Sequence, residues 1–433
     1  MSAYRWGLVL VVSALSAAAA PANENLPAPE EVLAALGTYG GPSVPGVNVA
    51  TLTGKVMCGY QGWFTTPGDG AGRGWFHYGG RDFGPGHCTI DLWPDITELG
   101  EDEKHPTPFR HADGSVAHVF SSMNRKTVLR HFAWMRDYGI DGVFVQRFTS
   151  EVARAPGFRH STTVLAHCRE GANRFGRAYA VMYDTDFGAA ALDQVKRDWQ
   201  RLVDRMQITQ DPAYLHHKGK PVISLWGFGF THRAWDADAA RAFLDFLKND
   251  PTYGGLTIML GVPTWWRTLN RDCRDDPAIH DVLLLADIIS PWNVGRFRSP
   301  KEAVHHTKTR VKPDLAWCDQ QGKDYLPVVF PGFSWHNMKP DRPLDQIPRL
   351  KGQFLWTQYV EARRVGATMV YQAMFDEMDE GTAIFKCTND PPVGKSPFLT
   401  YEGLPSDHYL WLVGMGGRLI RGEIEATPAP PKR

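Results

Sequence analysis

Residues 368–382 read TMVYQAMFDEMDEGT, and this stretch decides how the rest of the chain is interpreted. Its first half is a continuous apolar run, which is typical of a strand buried on both faces of a parallel sheet. Four acids follow within five residues, where the strand ends and a loop begins. Carboxylates repel one another and are costly to desolvate, so packing alone gives no reason to cluster them. The alternative interpretation is a solvated acidic turn.

The same pattern, an apolar run that ends in polar and aromatic residues, occurs at seven other places in the chain. The predicted strands cover residues 55–64, 140–148, 178–184, 221–228, 256–263, 287–292, 325–330 and 368–375. The predicted helices cover residues 127–138, 161–175, 190–206, 237–248, 300–312 and 353–365. Eight such units predict one (β/α)8 TIM barrel with long loop insertions over residues 51–420. The alternative is an open doubly wound sheet, but no glycine-rich phosphate loop follows a strand.

The N-terminus predicts a cleaved signal peptide over residues 1–22. Arg5 precedes a short apolar run at 7–14, and residues 20–22 (APA) offer a cleavage site. A leader segment at 23–50 and a flexible tail at 421–433 complete the predicted organisation. We therefore expect an exported protein, secreted or periplasmic, without a membrane span. An exported protein can form disulfides, and Cys273, Cys318 and Cys387 lie in predicted loops that favour them.

The composition limits the partners that the protein could have. The chain has 47 basic and 47 acidic residues and a formal net charge of zero, which argues against a nucleic acid or a charged membrane surface. A neutral partner and a monomeric protein are the expectations. We predict no cofactor and no metal, because the adjacent histidines at 216–217 and 305–306 lie away from strand ends. The acidic loop at 272–276 does not have the spacing of a calcium loop.

In a barrel, the C-terminal ends of all the strands share one face, and side chains from several strands converge there. Aromatic rings and hydrogen-bonding groups at these ends suit a carbohydrate. The candidate substrate-binding residues are Tyr60, Trp63, Gln146, Arg147, Tyr183, Asp184, Asp186, Trp226, Trp265, Trp292, Trp335, His336 and Asp376. The aromatic residues could instead fill the top of the barrel. Arg147 could instead form a structural ion pair with Asp184 or with an acid of the last loop, and Asp376 could brace the backbone at the strand end.

Glu377 and Glu380 are the predicted catalytic residues. Residues three apart in a tight turn share a face, and two facing carboxyl groups raise each other's pKa. One can then stay protonated as an acid while the other acts as a base, which is the chemistry of glycoside hydrolysis. Asp379 is expected to be solvated, and Asp184 with Asp186 is the alternative acid–base pair. An esterase is disfavoured because the chain has no G-x-S-x-G motif.

Residues 375–382 (FDEMDEGT) resemble the N-E-W-H-E-G-T signature of glycoside hydrolase family 99, within the family 99 and 71-like group of barrels that includes endo-α-mannosidases. The resemblance implies that Glu380 is the general acid/base. It also implies that Glu377 assists the 2-hydroxyl of the sugar as an internal nucleophile, so that configuration is retained through a 1,2-anhydro intermediate. Asp376 and Asp379 stand where the signature has Asn and His, so mannose specificity is not implied.

The resemblance extends to two other strand ends. Residues 182–184 (MYD) resemble a Tyr-Asp pair at the matching place, and residues 60–64 (YQGWF) resemble an aromatic segment that lines the pocket. The expected function is hydrolysis of a neutral glycan. The alternative is a barrel that binds carbohydrate without turnover.

Overall fold

The computed structural model describes residues 30–433, so the predicted signal peptide lies outside the described residues. A ring of parallel strands forms the centre of the protein, as the sequence predicts. In chain order the strands are Val56–Tyr60, Gly142–Phe148, Ala178–Asp184, Lys220–Trp226, Thr257–Val262, Ile288–Pro291, the seventh in two pieces (Asp324–Tyr325 and Val328–Val329) and Val370–Gln372. The fold is therefore a (β/α)8 barrel.

The two pieces of the seventh strand close the ring. Asp324–Tyr325 pairs with Ile288–Pro291 on one side, and Val328–Val329 pairs with Val370–Gln372 on the other. Only residues 326 and 327 separate the two pieces. The backbone N–H of Leu326 still donates to the carbonyl of Ile289 on the sixth strand. The first strand pairs with both the second and the eighth, so each strand has two neighbours.

Helices cover the outside of this ring. They are Glu30–Ala35, Arg125–Tyr138, Thr149–Val152, Ala155–Phe175, Ala189–Arg201, Ala237–Asn249, Ala278–Leu283, Pro300–His306, Lys312–Gln320, Gln353–Arg364 and His408–Ile420. The helix after the first strand illustrates how local sequence sets their ends. The side chain of Asn124 accepts hydrogen bonds from the first helical N–H groups, and Gly139 ends the helix at a φ of 75°.

The sequence predicted no helix after the eighth strand, although His408–Ile420 forms one. Three of the four residues at 414–417 are glycine, and glycine lowers helix propensity, so the local signal is weak.

The segment predicted as a flexible tail also has specific contacts. The indole N–H of Trp356 donates to the carbonyl of Thr427 at 2.8 Å, and Arg433 forms an ion pair with Asp407.

The long insertion between the first and second strands lies over the C-terminal face of the barrel. It contains an antiparallel hairpin, His105–Arg110 with Val116–Val119, and its loops bring His77 and Asp91 to the end of the eighth strand.

All six cysteines are buried and free, so the disulfides that the sequence favoured are not formed. Cys318 lies in the helix Lys312–Gln320 rather than in a loop.

Candidate active site

The acidic stretch forms a tight turn directly after the eighth strand. The backbone N–H groups of Thr382 and Ala383 both donate to the carbonyl of Glu377, which folds the turn back on itself. Gly381 has a φ of 62°, and a Cβ there would lie 2.9 Å from the backbone nitrogen of Ser334. A side chain at position 381 would therefore push the turn away from the loop of the seventh strand.

Glu377 lies buried at the base of the turn, and both of its carboxylate oxygens accept hydrogen bonds. Gln61 Nε2 donates to Oε1 at 2.8 Å, and Thr382 Oγ1 donates to Oε2 at 2.6 Å. Burial and the nearby Asp379 carboxyl raise the pKa of Glu377 to about 8, while the two donors act in the opposite direction. The two hydrogen bonds stabilise the ionised form of the Glu377 carboxyl group.

Glu380 is half-buried at the rim of the turn. Its backbone carbonyl accepts from the N–H of Ser334, but within residues 30–433 its carboxyl group has no hydrogen-bond or ion-pair partner. Burial, then Glu377 and Asp379, raise the pKa of Glu380 well above its usual value. Because no donor stabilises its charged form, Glu380 is the member of the pair that holds a proton.

Asp376 binds backbone rather than facing an open site. Its two oxygens accept hydrogen bonds from the N–H groups of Gln61 and Gly62, each at 2.8 Å, so the side chain ties the end of the eighth strand to the end of the first. Burial raises the pKa of Asp376 to about 7. These contacts match the backbone-bracing alternative for Asp376, while substrate binding by Asp376 stays a prediction.

Asp379, which was expected to be solvated, is buried and bonded to an imidazole. His77 Nδ1 lies 2.8 Å from Asp379 Oδ2, and the His77 ring stacks on Trp63 at 3.7 Å between ring centres. Burial raises the pKa of Asp379 well above its usual value, while burial and the Arg73 guanidinium lower the pKa of His77 to about 3. Both shifts favour an uncharged pair that shares one proton.

Asp91 holds the loop after the seventh strand in place beside the acidic turn. It accepts hydrogen bonds from Ser334 Oγ at 2.5 Å and from the backbone N–H groups of His336 and Asn337. The imidazole of His336 in turn contacts the carbonyl of Arg342. Sequence reasoning missed His77 and Asp91, because both lie in an insertion without strand or helix periodicity.

Five of the predicted aromatic residues, which follow strand ends, have an unusual feature in common. The indole N–H groups of Trp63, Trp226, Trp265, Trp292 and also Trp335 are buried without a partner among the described residues. Trp226 and Trp292 meet edge to face at 5.6 Å, and Trp292 also packs on Tyr371 at 6.2 Å. The mouth is therefore walled by aromatic rings whose indole N–H groups are buried and unpaired within residues 30–433.

Asp184 and Asp186 lie at the end of the third strand, beside a cation. Arg233 contacts Asp184 at 2.7 Å and Asp186 at 3.8 Å, and its guanidinium also lies over the ring of Trp226. Burial raises the pKa of Asp184 against the effect of Arg233. Asp184 is thus partly neutralised by an ion pair, whereas Glu377 and Glu380 have no basic side chain as a partner in the part of the chain that the structure describes.

Tyr60, Arg147 and Tyr183 do not face the mouth, so the prediction that they bind substrate is wrong. Their side chains are fully buried outside the ring: Tyr60 bonds His131 at 2.9 Å, and Arg147 forms two hydrogen bonds with Asp198, which also accepts from Tyr183. Arg147 is therefore structural, but its partner is Asp198 rather than Asp184 or the last loop.

Strand alternation explains these errors. Successive side chains point to opposite faces of a strand. Gln146 points into the barrel, where it contacts Met182 Sδ and the hydroxyl of Tyr371, so the next residue, Arg147, must point outward. Likewise a Cβ on Gly59 would lie 2.1 Å from the Tyr371 hydroxyl inside the barrel, and its neighbour Tyr60 points outward.

Two negative findings apply to residues 30–433. No group of three or more His, Cys, Asp or Glu side chains there is arranged to hold a metal ion. No helix in the same range is long and apolar enough to cross a bilayer.

No family model matches the chain, and no curated protein matches it in sequence. Solved structures match it in fold. The GH99 endo-alpha-mannosidase from Bacteroides thetaiotaomicron aligns with 86% of this chain and 99% of its own, with a TM-score of 0.61 and 16% identity. The structure of that enzyme with bis-tris propane covers the same shares, with a TM-score of 0.58 and 15% identity. A glycoside hydrolase-like protein covers 87% of this chain and 97% of its own, with a TM-score of 0.53 and 13% identity. The chain thus shares the barrel fold of the group that its last-strand motif resembles.

Proposed function

We propose that this protein is a glycoside hydrolase in which Glu380 donates a proton to the leaving oxygen and Glu377 acts as the base or assisting group. One observation carries the proposal: two neighbouring carboxyl groups have opposite surroundings. The Glu377 carboxyl group accepts two hydrogen bonds, and within residues 30–433 the Glu380 carboxyl group accepts none, so above the Glu377 pKa of about 8 the pair should hold one proton, on Glu380. A separation of acid and base roles by environment is how paired carboxyl groups catalyse glycoside hydrolysis.

The surroundings of the pair are compatible with a sugar. The half-buried rings of Trp63 and Trp292 could pack against the apolar face of a sugar. The signature that residues 375–382 resemble has an imidazole at position 379. Here His77 brings an imidazole to Asp379 from the first insertion. Because the reacting sugar would lie beside the acidic turn, where a further negative charge is repelled, that sugar itself should be uncharged.

Export is part of the same proposal, and it rests on the sequence of residues 1–22 alone. An extracellular or periplasmic glycan would then be the substrate. Fold comparison with a mannosidase supports the reaction class, while the sugar and linkage are open to experiment.

The test is a panel of plant, fungal and host glycans, with released sugar as the readout. On any substrate that is cleaved, Glu380→Gln and Glu377→Gln should each lower kcat by about 10²–10⁴-fold, the usual effect of removing a general acid or base. An aryl glycoside with a good leaving group needs no protonation, so it should partly restore turnover to Glu380→Gln but not to Glu377→Gln.

Glu425→Gln is the matched control, because Glu425 is exposed and far along the chain from the turn. It should keep the wild-type rate. If both active-site variants turned over substrate normally, the pair would be structural, and Asp184 and Asp186 would be the next residues to test. If glycans bound to the wild-type protein without being cleaved, the protein would be a carbohydrate-binding barrel.

A further inference from the structure

Three guanidinium groups surround the indole ring of Trp265, which follows the fifth strand. The central carbon of Arg271 lies 4.6 Å from the ring centre, and those of Arg296 and Arg310 lie at 5.5 and 5.6 Å. Cation–π attraction explains one such contact. It does not explain three, because the cations repel one another.

The charges in this cluster do not balance. Arg296 is paired with Asp272 at 2.6 Å, and nearby Arg267 is paired with Asp314 at 2.7 Å. Among the described residues, the side chains of Arg271 and Arg310 have neither an ion-pair partner nor a hydrogen bond, so four guanidinium groups share the carboxylates of Asp272 and Asp314. Burial and the charge of Arg271 lower the pKa of Arg310, while Asp314 and Asp272 act in the opposite direction.

Irregular backbone holds both unpaired arginines where they are. Arg271 has a φ of 57°, a left-handed conformation that is rare for a residue with a side chain. Arg310 lies on the π-helical turn Thr307–Val311, inserted between two α-helices. Backbone features of both kinds cost energy and are concentrated at functional sites.

The cluster borders the proposed active site. Thr264, the residue before Trp265, donates its hydroxyl to the carbonyl of Trp292 at 2.6 Å, and Arg296 donates to the same hydroxyl. Trp292 packs on Tyr371 of the eighth strand, directly before the acidic turn. Trp265 is thus tied through Thr264 to Trp292, on the side of the site that Trp292 forms.

We propose that Trp265, Arg271 and Arg310 form a subsite for a sugar that carries an anionic group: a sulfate ester, a phosphate ester or a carboxylate. The indole ring would stack on the sugar, and the two unpaired guanidinium groups would bind the anion, which they match in charge and geometry. The proposal extends the proposed function, because it places an acidic sugar beside an uncharged reacting one. It revises the expectation of a wholly neutral glycan.

Binding can be measured without turnover, by titration calorimetry on the wild-type protein. The probes are glucose, glucose 6-sulfate, glucose 6-phosphate, glucuronate and inorganic sulfate. At least one charged sugar should bind about tenfold or more tightly than glucose, since one charge-assisted contact supplies that much. It should also bind more tightly than inorganic sulfate, because only the sugar stacks on the ring. The charged sugar that binds best identifies the anion.

Arg271→Gln and Arg310→Gln should each weaken that binding by about tenfold and leave the affinity for glucose unchanged. Arg271→Lys should restore part of it, because charge returns without the planar fork. The matched control is Arg241→Gln on the exposed face of the helix Ala237–Asn249, which should bind as wild type does.

Three results would overturn the proposal: equal affinity for glucose and all charged sugars, no loss of affinity in either glutamine variant, or inorganic sulfate binding as tightly as the sugars. The last result would mean an adventitious ion only. These outcomes are independent of hydrolysis. If charged sugars bound as expected but no glycoside were cleaved, the proposed function would fail and the subsite would stand.

Discussion

At the scale of single residues, the acid–base assignment rests on two donors. Gln61 and Thr382 each stabilise the charged form of Glu377, while nothing among the described residues does so for Glu380. Gln61 itself is held by Asp376, which accepts its backbone N–H. Asp376 therefore contributes to the site indirectly, by fixing the residue that donates to the base.

Replacing Thr382 with Val removes one donor to Glu377 and keeps the shape of the side chain. The pKa of Glu377, already raised to about 8, should rise further, by about one unit for one hydrogen bond to a charged group. Since the base must be ionised, the rising limb of the kcat/KM profile against pH should move to higher pH by that amount.

Thr65→Val is the matched control for this measurement. Thr65 also donates a hydrogen bond, at 2.8 Å, but to the carbonyl of Gly74 rather than to a carboxylate. Its profile should overlie that of the wild type. An unchanged rising limb in Thr382→Val would show that Glu377 is not the group that titrates there.

At the scale of secondary-structure elements, a buried ion pair joins the barrel to its helices. Arg147 on the second strand and Asp198 on the helix Ala189–Arg201 are both fully buried, and Tyr183 on the third strand donates to the same carboxylate. Removing one member of a buried pair leaves the other charged and unpaired. The cost of that exceeds the net value of the pair itself.

Arg147→Met should lower the free energy of unfolding by about 3–5 kcal/mol, measured by urea denaturation. The double variant Arg147→Met with Asp198→Leu should recover part of this loss, because it removes both charges. Arg205→Met, at an exposed arginine near the end of the same helical segment, should cost little. Equal destabilisation in the single and double variants would argue against a charge effect, and a lost kcat in folded Arg147→Met would argue against a purely structural role.

The strands could be predicted from the sequence because each is apolar on both faces. The sequence could not predict which side chains of a strand face the barrel interior, because an apolar run without polar alternation does not reveal its inward side. For this reason Arg147 and Tyr60 were assigned to the wrong face. The acidic turn was recognisable from composition alone. Its partners were not, since His77 lies 302 residues from Asp379 and only the folded insertion brings them together.

At the scale of the whole molecule, the acidic turn should make stability depend on pH. The folded-state pKa values of Asp376 and Glu377 are raised to about 7 and about 8, mainly by burial. A carboxyl group with a raised folded pKa stabilises the protein fully below its unfolded pKa, and that contribution is lost as pH rises through the folded value. Buried histidines such as His131 and His160, with pKa values lowered to about 3, act in the opposite direction, but only below about pH 6.5.

Between about pH 6.5 and 8 the carboxyl groups therefore dominate, and the midpoint of thermal unfolding should fall as pH rises. Each fully protonated carboxyl contributes a slope of up to about 1.4 kcal/mol per pH unit. Glu377→Gln cannot titrate, so its unfolding temperature should fall less steeply across this window, whereas Glu425→Gln should follow the wild type. Identical slopes for wild type and Glu377→Gln would show that Glu377 does not retain a proton in the folded state.

The six buried cysteines have a practical consequence. Burial raises the pKa of the thiols at Cys58, Cys88, Cys168, Cys273, Cys318 and Cys387, which suppresses the reactive thiolate. The native cysteines of the folded protein should therefore react only slowly with thiol reagents. A single cysteine introduced on the exposed surface, for example at Asp275, would be the one site that a maleimide dye reaches quickly. Fluorescent reporters could then follow glycan binding at the barrel mouth without first removing any native cysteine.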